Sequence, residues 1–168
     1  VSVDSLTSTP LFAVKIDYDQ ADASLYFITF SGEVHKLIQD PGQPVRDTLI
    51  ADVTQHGINY MQGFTFKDSM MFVCGNNKTP GIPGYGVVAC GVLQPDGSRL
   101  WHTVVTTVPY PSNAVLYDHA FSSIIVNTTD DSLIFASGAR TDHGEIETTN
   151  GLYPGTRDVP LTTKLFIV

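Results

Sequence analysis

With 168 residues and 42% hydrophobic content, the chain is long enough to bury a sizeable core, which excludes disorder as the starting expectation. A formal net charge of −8, with 9 Lys and Arg set against 17 Asp and Glu and no basic stripe, excludes nucleic acid as a partner. No stretch nears ~18 consecutive apolar residues and none has the layout of a signal peptide, so the chain reads as soluble, without a membrane span; a leader removed before Val1 is compatible with that.

The 10 prolines and 14 glycines are spread between short apolar runs, the punctuation of many turns and few long helices. Leu11 to Ile16 predicts a first strand, followed by a polar turn over Asp17 to Asp22 and a second strand over Leu25 to Phe30. Ser31-Gly32 turns the chain into Glu33 to Ile38, where apolar and polar residues alternate with the period of a half-buried strand. A fourth strand fits Asp47 to Val53. The same grammar returns at Gln62 to Phe66, Met70 to Cys74, Tyr85 to Leu93 and Leu100 to Thr106, with Pro95-Asp96-Gly97 as a turn before the last. It begins a third time at Ala120 to Val126 and Leu133 to Ala136, and after a long polar loop reaches Thr163 to Val168.

Three units spaced by roughly 50 residues suit an all-β protein built from four-stranded antiparallel β-propeller blades. The approximate blades are 11–53, 60–107 and an incomplete 118–168. A β-sandwich also shows about seven short strands, but it does not explain the long loops after the second strand of the second and third units. Closure of a propeller takes about 4 to 8 blades, so the ring is incomplete in this chain. The remaining blades are expected from a longer polypeptide or from another subunit, and open strand edges should be sticky.

Cys74 and Cys90 are too few for a disulfide framework and too far apart for a CxxC motif, leaving either two buried free thiols or one bridge. Asn77-Lys78-Thr79 and Asn127-Thr128-Thr129 match the N-glycosylation acceptor pattern, about as many matches as chance supplies in a Thr- and Ser-rich chain. His35, His56, His102 and His143 show no zinc spacing. Ser122 and Ser123 lack the Gly-x-Ser-x-Gly elbow of a hydrolase nucleophile. Trp101, alone in its strand, is expected to pack between blades.

Candidate chemistry concentrates in Tyr117-Asp118-His119-Ala120-Phe121 and in Ser137-Gly138-Ala139-Arg140-Thr141-Asp142-His143-Gly144-Glu145. A His just before one strand and an acidic loop just after its antiparallel neighbour should share a rim. Asp142 and Glu145, with Asp118 third, offer the hard oxygen ligands that calcium takes from irregular loops. An acidic loop of this kind is more often simply solvated, with Arg140 and Arg157 pinning it by ion pairs.

These residues, with the Asp130-Asp131 turn before Leu133 and Tyr153-Pro154-Gly155-Thr156-Arg157, resemble the soluble quinoprotein glucose dehydrogenases and sorbosone-dehydrogenase-like six-bladed propellers. Weaker echoes lie in Ser31-Gly32-Glu33-Val34 and Gln62-Gly63-Phe64. The resemblance implies oxidation of a sugar or alcohol by hydride transfer to pyrroloquinoline quinone (PQQ), with calcium polarising the quinone. It implies His119 as the general base, a role suited to an imidazole whose ordinary pKa is about 6.5. Where those glucose dehydrogenases follow the His with Asn-Gly-Gly-Arg, this chain has Ala120-Phe121-Ser122-Ser123, and the family's quinone-binding cations come largely from later blades. The alternatives are a rim histidine bonded to a carbonyl and, for the whole chain, a non-catalytic extracellular propeller module for binding or self-assembly. Acidic balance, abundant Thr and Ser and the two acceptor sites suggest a secreted, extracellular or periplasmic protein.

Overall fold

A computed structural model describes residues 12–79, 82–109, 121–139, 146, 155, 157 and 161–168. The described chain is nearly all β, in three antiparallel sheets. The first holds β1 (Ala13–Asp19), β2 (Ser24–Thr29), β3 (Val34–Ile38) and β4 (Arg46–Ala51) in sequence order. The second holds β5 (Tyr60–Lys67), β6 (Met70–Thr79), β7 (Ile82–Leu93) and β8 (Arg99–Thr106). The third holds β9 (Phe121–Val126), β10 (Leu133–Ser137) and β11 (Lys164–Ile167). The edge strands β1, β5 and β9 pack against one another from sheet to sheet, so they line the inner edge of an arc, as the first strands of propeller blades do.

The sequence expectation of a strand over Asp47 to Val53 is cut short by a helix. Asp52 caps α1 (Val53–His56): its side chain accepts from the Thr54 N–H at 2.8 Å, and its own N–H donates to Gln55 Oε1 at 2.7 Å. This reciprocal capping box, closed by Gly57 at φ +76°, satisfies the end groups of a single turn. The turn redirects the chain from the outer edge of one sheet to the inner edge of the next.

The three sheets repeat in detail. Near the start of each first strand the register slips by one residue, leaving Val14, Gln62 and Ser122 as the extra residue of a bulge. Two residues further on stand Ile16, Phe64 and Ile124, paired with Phe27, Val73 and Phe135 respectively. Phe64 is buried among Tyr26, Ile28 and Val34 of the first sheet, and Ile124 among Phe72, Cys74 and Val88 of the second. Each blade thus covers the leading face of the blade that follows it. Among the described residues no sheet precedes the first, and Ile16 is 56% exposed, against 0% for Phe64 and 1% for Ile124.

Polar groups fasten the first seam. The Arg99 guanidinium donates to Asp19 with both side chains fully buried, and also to the Ser69 and Gly91 carbonyls at 3.2 and 3.1 Å. It lies 5.5 Å from the ring centroids of Tyr26 and Phe66. Beside it, Asp22 accepts from the Tyr26 hydroxyl and from Lys36 at 2.9 Å. Burial works against the Asp22 charge, but these donors outweigh it and hold its carboxyl below the ordinary value. Trp101 packs against the same core, edge-on to His56 at 5.3 Å.

Candidate functional site

The sheets have two ends, and β9 begins and β10 ends at the one where β2 turns into β3 and β4 hands over to β5. Ser137, the last residue of β10, pairs with Phe121, the first of β9, so the chain enters β9 and leaves β10 at one edge. Asp118 and His119 precede β9, while Asp142 and Glu145 follow β10. These four side chains, together with Arg140 and His143, lie outside the described residues, as does any pairing among them.

The start of β9 is held from the neighbouring blade. Asn76, fully buried on β6, accepts the Phe121 N–H on Oδ1 at 3.3 Å, while its Nδ2 is buried without a hydrogen-bond partner. Gly86 opposes Asn76 in the ladder, and a Cβ there would sit 2.2 Å from the Phe121 ring. The missing side chain is what admits the phenyl group.

Asn59 completes a small polar platform at this end. Its side-chain amide imitates a strand partner, donating to the Lys78 carbonyl at 2.7 Å and accepting the Lys78 N–H at 2.8 Å. This places the Lys78 ammonium 5.6 Å from the Tyr60 ring centroid, within cation–π range. Tyr60 in turn meets Phe30 edge-on at 5.2 Å. None of Asn59, Tyr60, Asn76 or Lys78 stands out in the sequence; the only signal is a polar run, Asn76-Asn77-Lys78, ending an apolar strand.

The other described histidines have local work. His56 donates from Nε2 to the Gly32 carbonyl at 2.9 Å and accepts the Ile58 N–H on Nδ1 at 3.2 Å, which ties the handover segment to the β2–β3 turn. Burial pushes its pKa down to about 4, so it is a neutral linker. His35 holds Asp47 through Nδ1 at 2.7 Å and stacks on Phe27 at 4.8 Å, on the leading face of the first sheet and away from this platform. His102 is exposed on β8.

Cys74 and Cys90 are both free and buried. Burial pushes the Cys74 thiol up to about 12, which removes it as a nucleophile at neutral pH. The Asn77 side chain donates to the Gly57 carbonyl at 2.9 Å from within β6. Asn127 sits in the β9–β10 turn at the opposite end, accepting the Thr129 N–H at 3.1 Å. Among the described residues no three His, Cys, Asp or Glu side chains gather as a metal site, and no helix is long and apolar enough to cross a membrane.

No family model and no curated protein matches the sequence. Solved structures do match. A glucose dehydrogenase aligns with 100% of this chain over 47% of its own, at a TM-score of 0.69 and 14% identity. A second glucose dehydrogenase structure gives 0.70 and 15% over the same shares. The soluble aldose sugar dehydrogenase from Escherichia coli gives 0.54 and 11%, covering 79% of this chain and 39% of that one. The chain spans about half the length, 47%, of the glucose dehydrogenases it matches. The three sheets are therefore a partial propeller of the fold that soluble glucose and aldose sugar dehydrogenases share.

Proposed function

We propose that this chain is part of a secreted sugar or alcohol dehydrogenase whose substrate site lies at the β9-start, β10-end rim. The observation that carries the reading is the alignment of the whole chain with glucose dehydrogenases. The antiparallel register that brings the start of β9 and the end of β10 to one edge supports it. In this reading His119 would accept the proton of the substrate hydroxyl, and a quinone held by further blades would take the hydride from the same carbon. Asp142, Glu145 and Asp118 are the proposed calcium ligands, and Asn77 and Asn127 the proposed glycan acceptors.

PQQ carries three carboxylates, and the described residues of this rim do not suit it. The cation they bring to the platform is Lys78, already set over Tyr60. The chemistry assigned to this chain therefore stops at the substrate proton and calcium, and the cations for a quinone would come from further blades. The second reading, a non-catalytic extracellular module for binding or self-assembly, is favoured by the exposed apolar side chains of Val14, Ile16 and Tyr18 along β1.

The test is aldose-dependent reduction of an electron-accepting dye by the protein in a form that carries the further blades, supplied with PQQ and calcium, alongside His119→Ala. The dehydrogenase reading expects a loss of roughly 10² to 10⁴ in kcat for that variant, the usual share of a general base. Equal turnover with and without His119, or no turnover together with no calcium binding, would favour the second reading.

A further inference from the structure

Each of the two seams holds the innermost strand of the following blade by the same backbone N–H, but with a different acceptor. In the first seam the Met61 N–H donates to the Phe30 main-chain carbonyl at 3.1 Å. Phe121 is the counterpart of Met61, each standing just before the bulge residue of its strand. Asn76 is the counterpart of Phe30, since it follows Gly75 as Phe30 follows Thr29. In the second seam, however, the acceptor is the Asn76 side chain, whose Oδ1 takes the Phe121 N–H at 3.3 Å. Further contacts grip the same stretch. Cys74, on the same face of β6 as Asn76 and like it fully buried, donates its thiol to the Phe121 carbonyl at 3.9 Å. The Ser122 carbonyl passes so near β5 that a Cβ at Gly63 would stand 3.0 Å from it, and the Phe121 ring fills the notch at Gly86. Asn76 Nδ2 has no hydrogen-bond partner, and a buried donor left unpaired costs stability. Leucine, of about the same shape, would remove that donor, so packing alone does not account for an amide here.

We propose that Asn76 is a positioning residue for the proton-accepting step: by holding the Phe121 N–H it sets where the chain carrying His119 enters the rim. His119 stands two residues before Phe121, and two residues of chain reach at most about 7 Å, so the anchor at Phe121 bounds where the imidazole can go. The role rests on the dehydrogenase reading, in which His119 is the base and Asn76 acts only through Phe121. A base displaced by about 1 Å can lose roughly 10²-fold in rate without any loss of substrate binding.

A double-mutant cycle tests it, in the form of the protein that carries the further blades, supplied with PQQ, calcium and an aldose. Asn76→Leu should lower kcat roughly 10- to 100-fold and leave KM within about twofold. Asn76→Asp keeps the acceptor oxygen and loses only an unpartnered donor, so it should recover most of that loss. In the His119→Ala background, Asn76→Leu should change kcat by less than about twofold, because the two residues act through one group. A residue that merely stabilises its blade would lower both backgrounds alike. Independently of turnover, the Phe121 amide should exchange with solvent at least ~10-fold faster in Asn76→Leu than in the wild type, with the later amides of β9 unchanged. Should Asn76→Leu not fold, Asn76→Ala carries the same expectations. A wild-type kcat in Asn76→Leu, an equal loss in both backgrounds, or unchanged exchange at Phe121 would each overturn the role of Asn76 and leave the dehydrogenase reading standing. No turnover, or turnover indifferent to His119, would sink that reading and the role of Asn76 with it.

Discussion

Ile16 and Phe64 occupy the same place in successive blades, two residues past a bulge on the innermost strand, yet one is more than half exposed and the other buried. Local sequence does not separate them, since both are large, apolar and paired with a buried partner, Phe27 or Val73. What differs is the neighbour. In a propeller the hydrophobic stabilisation of a blade is delivered in part by the blade before it, so exposure at a repeat position reports whether a neighbouring sheet stands over it.

The contrast can be broken most strongly at the first seam. Removing one partner of the buried Asp19–Arg99 pair, as in Asp19→Leu, should cost about 3–5 kcal/mol in urea unfolding, because it strands the other charge. The double variant Asp19→Leu with Arg99→Met should recover much of that loss. Gly75 sharpens the repeat in another way. Its counterparts in the ladder are Thr29 and Ser137, but at Gly75 a Cβ would stand 2.2 Å from the Tyr60 carbonyl oxygen. Gly75→Ala should therefore cost about 1–3 kcal/mol by overpacking backbone, read as a lowered midpoint without a change in m.

His56 gives the seam a pH dependence with a defined sign. Its folded pKa, about 4, lies below the ordinary 6.5, so the unfolded chain binds the proton first and acid favours unfolding. Stability should be level with respect to this group above about pH 6.5 and fall by up to about 1.4 kcal/mol per pH unit between there and pH 4. His56→Gln should flatten that slope. The smallest effect is expected at the exposed Ile125: Ile125→Ser should shift stability by no more than about 0.5 kcal/mol.

The blade pattern was legible because each hairpin repeats a period-two apolar run around a polar turn, as in Leu25 to Phe30 and Leu133 to Ala136. The bulges at Val14, Gln62 and Ser122 were not, since a bulge adds one residue without a compositional mark. Nor was the Asp19–Arg99 pair, whose partners stand 80 residues apart and meet only when two sheets stack. The end of β4 was missed because Asp52-Val53-Thr54-Gln55 carries a capping box that overrides the strand character of Val53. At the candidate site the shared edge of β9 and β10 followed from antiparallel return alone. Asn76 and Lys78 were invisible because their significance comes from Phe121 and Tyr60 across the ladder.

The most direct test of the neighbour principle compares Ile16→Ser with Phe64→Ser by urea unfolding. The account predicts a cost of at least about 3 kcal/mol for Phe64→Ser and under about 1 kcal/mol for Ile16→Ser, because only Phe64 loses buried contacts to a preceding blade. Equal costs at the two positions would contradict it, showing that the leading face of the first blade is already covered within the single chain.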